Sequence, residues 1–122
     1  MSVGQAGESL VAKHYQNLGF TLLARNYIFP EGKQMGEIDL IVIKGQDLVF
    51  VEVKTRRNEK FGTGLEAVDI FKQRKLVKTT KLFLRQNPKY QAFNYRIDVA
   101  TVDLDNPVQP VIIISNAIED LD

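Results

Sequence analysis

The chain has no cysteine, no tryptophan and a single histidine among its 122 residues. Without cysteine there is no disulfide framework, no thiolate metal site and no cysteine nucleophile. One histidine, His14, argues against a Ser-His-Asp triad and against a His-rich zinc site, and its place on a helix reads as surface. No apolar run exceeds four residues, so no segment is expected to span a membrane. The opening Met1-Ser2-Val3-Gly4-Gln5 lacks the charged and apolar regions of a signal peptide. These absences predict a soluble, cytoplasmic protein, and the length fits one domain over residues 1–122.

Net charge is also nearly missing, at +1, but it is unevenly spread. From Lys54 to Arg85 there are ten bases and three acids, a net of +7, whereas the remainder holds six bases and twelve acids, a net of −6. Such a split predicts a basic face for a polyanion beside an acidic body.

Hydrophobic spacing gives the elements. Residues 4–18 read as a helix, with Ser2 and Gln5 as a capping box and Leu10, Val11, Tyr15 and Leu18 as its apolar stripe. Gly19 stops it, a short extended segment follows at 20–23, and 25–34 reads as an irregular or edge region. Residues 37–43 and 48–54 are the best strands, joined by a two-residue Gly45-Gln46 loop of type II′. A long helix is expected over 65–85, with Leu65, Val68, Phe71, Leu76 and Phe83 along one stripe. Strands at 95–102 and 111–115 complete an α-β-β-β-α-β-β order, which implies an α/β fold with a mixed sheet flanked by helices.

The hairpin carries the chemistry. If Gly45 and Gln46 form the loop, Asp39 falls opposite Glu52 and Glu37 opposite Lys54. Two carboxylates facing each other repel unless a positive charge lies between them. A hard divalent cation, Mg²⁺ or Mn²⁺, suits such oxygen ligands. Lys54 lies two residues beyond Glu52 and so on the same face. A charged trio on an otherwise apolar hairpin costs too much to be ornamental.

Gly36-Glu37-Ile38-Asp39-Leu40-Ile41 followed by Leu48-Val49-Phe50-Val51-Glu52-Val53-Lys54-Thr55-Arg56 resembles the signature of the YraN-like family. The likeness continues through Gly7-Glu8, Arg25-Asn26, Phe61-Gly62, Glu66-Ala67-Val68, Lys72-Gln73-Arg74-Lys75-Leu76 and Arg96-Ile97-Asp98-Val99. That family is similar to the PD-(D/E)XK nucleases and resembles archaeal Holliday junction resolvases, which implies a restriction-endonuclease-like fold. The resemblance implies a Mg²⁺-dependent nuclease acting on DNA, including branched or structured DNA, with RNA as the alternative substrate. It further implies that Asp39, Glu52 and the Val53 carbonyl bind the metal, and that Lys54 orients or deprotonates the attacking water. The resolvase likeness implies a homodimer, since a symmetric junction needs two paired cuts.

Four further groups carry weaker signals. Glu8, on the helix face of Val11 and Tyr15, is either a fourth catalytic carboxylate or an acid favoured by the helix dipole. Arg56, Arg57, Lys72, Arg74 and Lys75 are candidate phosphate contacts or solvated charges. Tyr90, Phe93 and Tyr95 would stack on bases or pack in the core. Arg96 and Asp98, two apart on a strand, read as a structural pair. The alternatives to a nuclease are a nucleic-acid-binding module without turnover and a dimeric protein-interaction domain.

Overall fold

In a computed structural model, residues 1–29, 36–56 and 69–119 are described. Helix α1 spans Val3–Asn17 and opens on the capping box expected from Ser2 and Gln5. The Gln5 N–H donates to Ser2 Oγ at 3.1 Å and the Ser2 N–H donates to Gln5 Oε1 at 3.0 Å. Gly19, at φ +95°, turns the chain after the helix in a conformation that glycine tolerates best. The strands are β1 (Thr21–Ile28), β2 (Glu37–Lys44) and β3 (Asp47–Arg56), followed by α2 (Ile70–Gln86), β4 (Asn94–Asp103) and β5 (Val111–Ile118). The α-β-β-β-α-β-β order is therefore the one expected, with a short 3₁₀ turn at Pro88–Tyr90 added before β4.

The strands form a mixed five-stranded sheet in the order β1-β2-β3-β4-β5. Only β3 and β4 run parallel, joined by the crossover that contains α2; the other neighbours are antiparallel. Helix α1 covers one face, where Val11, Ala12 and Tyr15 meet Leu40, Val42, Val49, Val51, Ala100 and Val102. On the other face Leu76 and Phe83 of α2 pack with Ile41, Leu48, Phe50, Ile97 and Val99. No helix among the described residues is long and apolar enough to cross a membrane.

Several boundaries and faces differ from the sequence reading. The short extended segment and the first residues of the edge region form one strand, β1, at the sheet's rim, while residues 30–34 of that region lie outside the described residues. Helix α2 begins at Ile70, because Asp69 is extended (φ −71°, ψ 167°) and its Oδ1 accepts the Lys72 N–H at 2.8 Å. Leu65 and Val68 lie outside the described residues, and Phe71 is 77% exposed, so the buried stripe is Leu76, Thr79, Thr80 and Phe83. Leu18, counted into the first helix's stripe, sits at its C-cap and is 53% exposed. Tyr90 is core, stacked on Phe83 at 6.0 Å, and Phe93 packs edge-on against it.

Gly7 decides how closely α1 approaches β3. A Cβ there would collide with the Thr55 hydroxyl and lie 2.9 Å from Thr55 Cβ. Gly7→Ala should therefore cost ~1–3 kcal/mol of stability through overpacking. Thr55→Ala in the same chain should return part of that loss, read as a partial recovery of the urea midpoint. A Gly7→Ala midpoint equal to wild type would mean the helix yields without cost.

Candidate active site

The β2–β3 register is the expected one over five pairs, from Lys44↔Asp47 to Leu40↔Val51. Gly45 has φ +59° while Gln46 is not left-handed, the type II′ pattern. Beyond Leu40 the ladder stops, so the expected oppositions Asp39–Glu52 and Glu37–Lys54 are not ladder pairs. The reason is Asp39 itself: its Oδ2 accepts the Val53 N–H at 2.8 Å, taking the role a strand carbonyl would have. Strict alternation also breaks there. Ile38 packs with the α2-side core and Leu40 with the α1-side core, although they are two apart. Asn26, left-handed at φ +53°, lies between the β1–β2 pairs Arg25↔Leu40 and Tyr27↔Ile38 and marks the same break.

The carboxylates are nevertheless gathered. Glu37, Asp39 and Glu52 line one cleft with Lys72, Lys75, Leu76 and Thr79 of α2. Glu52, on the α2 side of β3, is buried, and its Oε1 lies 2.9 Å from Lys72 Nζ. Burial and the neighbouring Glu52 charge push the Asp39 carboxyl up to about 7, against the opposing Val53 hydrogen bond and the Lys72 charge. Glu8 contributes to the same rise, so it is close enough to act on Asp39. It is held on the α1 side by Arg25 Nε at 3.4 Å and by the Asn26 amide, which donates to it at 3.2 Å.

The lysines are tuned in opposite directions. Burial lowers Lys54, and the adjacent Lys72 ammonium lowers it further. Burial would lower Lys72 too, but its hydrogen bond to Glu52 and that carboxylate's charge outweigh the loss and raise it. Lys72, which lines the cleft, and Lys54 beside it are thus shifted in opposite directions.

Of the expected phosphate contacts, Lys72 and Lys75 line the cleft, whereas Arg74 is exposed and is not among its lining residues. Arg56 ends β3 with its Nε buried. Arg57, Phe61, Gly62 and Glu66 lie outside the described residues. Thr79 lines the cleft, Gly36 packs on it, and Asp69 caps the helix that carries Lys72 and Lys75. Gly36, at φ +109°, leaves no room for a Cβ against Thr79 Oγ1. Asp69 was legible as a helix cap, being an acid just before a basic, apolar-periodic run.

Arg96 and Asp98 form the structural pair expected of them, away from the cleft. Asp98 is fully buried and accepts from Tyr15 Oη at 2.7 Å, Arg96 Nε at 3.0 Å and the Asn116 N–H at 2.8 Å. Burial, then the Asp98 charge, raises the Tyr15 phenol far above its usual range.

A protein-family profile described as "Uncharacterised protein family UPF0102" matches residues 7–102, a span that includes Glu8, the whole hairpin, α2 and most of β4. The chain belongs to UPF0102. It is 36% identical to the "UPF0102 protein" of Stutzerimonas stutzeri over 118 residues, which is 97% of this chain and 95% of that one. It is 41% identical to a UPF0102 protein of Vibrio campbellii, covering 82% and 80% of the two chains. A UPF0102 protein of Acinetobacter baumannii is 37% identical, covering 87% and 77%. Family membership agrees with the YraN-like resemblance read from the hairpin and its flanking motifs.

The raised Asp39 carboxyl has a thermodynamic consequence. Its unfolded value is 3.8 and its folded value about 7, so the folded protein binds this proton more tightly. The stability it contributes is full below about pH 4 and lost as pH rises through 7. Thermal unfolding in EDTA should show a wild-type midpoint that falls across this window more steeply than that of Asp39→Asn, whose amide oxygen can still accept from Val53. Parallel curves for the two proteins would remove Asp39 as the source.

Proposed function

We propose that this UPF0102 protein is a divalent-cation-dependent nuclease of the PD-(D/E)XK type that hydrolyses phosphodiesters in DNA. One observation carries the reading: Asp39 and Glu52 share a cleft with Lys72 and Lys75, and Lys54, two residues past Glu52, meets the Lys72 amine. Each residue type fits a need of phosphodiester hydrolysis.

The donor set fits a hard cation. Asp39 and Glu52 supply carboxylate oxygens, and burial, then the Glu52 charge, raises the Asp39 carboxyl. The ammonium already drawn onto Glu52 shows that this buried carboxylate takes a positive partner. Among the described residues no three acidic or histidine side chains converge as a complete ligand cage. The protein would then offer two carboxylates and the Val53 carbonyl, leaving other positions to water and phosphate, which suits Mg²⁺ or Mn²⁺. When bound, such an ion supplies charge neutralisation at the phosphate and acidifies a coordinated water.

The chain's own groups supply the rest. Lys54, two residues past Glu52 and beside Lys72, is placed to orient a water or to steady charge growing on a phosphate oxygen; burial and then Lys72 lower its amine from the usual value. Lys72 and Lys75 are three apart on α2, so both can face a backbone phosphate at the mouth of the cleft. Contacts of this kind position nucleic acid without reading its sequence.

A cleavage panel tests the reading: linear, flapped and four-way DNA and a matched RNA, each with Mg²⁺, Mn²⁺ or EDTA, and with Glu52→Gln protein as the blank. Cation-dependent cleavage of at least one DNA substrate, absent in EDTA and in the variant, is expected. Cleavage persisting in EDTA overturns the mechanism. Salt-dependent DNA binding with no cleavage would assign a binding module, and no nucleic-acid binding at low salt would leave a protein-interaction domain.

A further inference from the structure

Glu52 is the most deeply buried carboxylate lining the cleft, its side chain 5% exposed. A carboxylate taken out of water needs a countercharge. Here the countercharge comes from the α2 layer, as Lys72 Nζ at 2.9 Å from Glu52 Oε1. The two ends of that lysine are held very differently. Its backbone is pinned, because the Lys72 N–H donates to the Asp69 cap at 2.8 Å. Its side chain is a flexible four-carbon stem, 42% exposed, with room to turn toward solvent.

The helix does not favour a cation at this position. Lys72 is the third residue of α2, in the first turn, where unsatisfied N–H groups make positive charge unfavourable. What draws the ammonium inward is Glu52. The same helix end and the neighbouring Lys75, which lines the cleft, favour an arriving anion. Lys72 therefore has two alternative partners within one swing of its side chain: the buried carboxylate, and a phosphate at the cleft mouth.

We infer that Lys72 is a built-in competitor for the cation, occupying Glu52 in the metal-free protein and transferring to a substrate phosphate when cation and nucleic acid bind together. The inference rests on the proposed role of Asp39 and Glu52 as cation ligands. A divalent ion and an ammonium cannot both sit at hydrogen-bonding distance from one carboxylate oxygen without strong repulsion. An ion that takes Glu52 Oε1 without nucleic acid must displace Lys72 into water, so its affinity is reduced. An ion arriving with nucleic acid finds Lys72 drawn off by phosphate. Metal and substrate then strengthen each other's binding, by the same factor in both directions.

The test is Mn²⁺ binding to the full chain, by calorimetry, with and without a hydrolysis-resistant phosphorothioate duplex. Without DNA, Lys72→Met should bind Mn²⁺ about tenfold more tightly than wild type, and the duplex should raise Mn²⁺ affinity severalfold in wild type while leaving Lys72→Met nearly unchanged. Lys72→Gln carries the same expectation, so the comparison survives if one variant fails to fold, checked by circular dichroism. Equal or weaker Mn²⁺ binding by both variants, or an equal effect of DNA on all three proteins, overturns the inference. In those cases loss of Mn²⁺ binding in Glu52→Gln would show that the cation site itself stands. Wild-type Mn²⁺ affinity retained in Glu52→Gln would instead overturn the site, and the inference with it.

Discussion

Glu52→Gln protein is expected to keep its fold and to lose cation-dependent cleavage by on the order of 10³-fold or more. The substitution is isosteric, so the packing around a buried side chain is preserved. The amide carries no charge to balance a cation, and a divalent ion would keep only Asp39 of the two proposed carboxylate ligands. The lysine left behind is not stranded, since Lys72 is 42% exposed and can turn to water. Removing the Glu52 charge also removes a cause of the raised Asp39 carboxyl, which should titrate lower in the variant. Lys54→Ala should lose cleavage as well, but it should retain Mn²⁺ binding, because the proposed ligands are Asp39, Glu52 and the Val53 carbonyl. Rates are to be compared on whichever DNA the wild type cleaves best. Undiminished cleavage by either variant would refute the assignment.

Asp98→Ala should destabilise the protein by ~3–5 kcal/mol, the range for removing one partner of a buried charged network. Asp98 is 0% exposed and serves three donors from three elements: Tyr15 of α1, Arg96 of β4 and the Asn116 N–H of β5. Without it a buried phenol and a backbone N–H lose their acceptor, and the Arg96 guanidinium loses its counterion. Total stabilities of small domains are ~5–15 kcal/mol, so the loss would be a large share. Tyr15→Phe removes only one of the three bonds and should cost ~1–2 kcal/mol. Urea denaturation with an unchanged slope reads both values. A cost below ~1 kcal/mol for Asp98→Ala would show that the network contributes little beyond filling space.

The hairpin was legible because its turn and its alternation both point to one register. Gly45 in the first central position selects a two-residue loop, and the loop length then sets every pair through Leu40↔Val51. What could not be read was the place where the pattern fails. At Asp39 the side chain captures the Val53 N–H, and beside it Asn26 is left-handed, so β2 changes faces between Ile38 and Leu40. Nothing in the local alternation of apolar residues announces that switch. The start of α2 is a related case: Asp69 caps the helix at Ile70, and Phe71, at helical spacing for the stripe, stays outside the core. Lys72 and Glu52 come from different layers, and no periodicity connects them. The same holds for Tyr15 and Asp98, separated by 83 positions and joined by one hydrogen bond.

The single parallel pairing also bears on the order of folding. Every β3–β4 pair joins residues 47 positions apart, from Asp47↔Asn94 to Arg56↔Asp103. Such closures are slow compared with hairpins and helices, which need only local contacts. During synthesis α1, β1 and the β2–β3 hairpin are complete long before β4 leaves the ribosome. Until it does, β3 has an open edge, and Tyr15 lacks the acceptor that Asp98 later provides. The cleft takes its α2 wall from the segment between those two strands, so its geometry matures only when the last third of the chain arrives. A truncation ending before β4 should expose strand edge and aggregate rather than accumulate as a folded fragment.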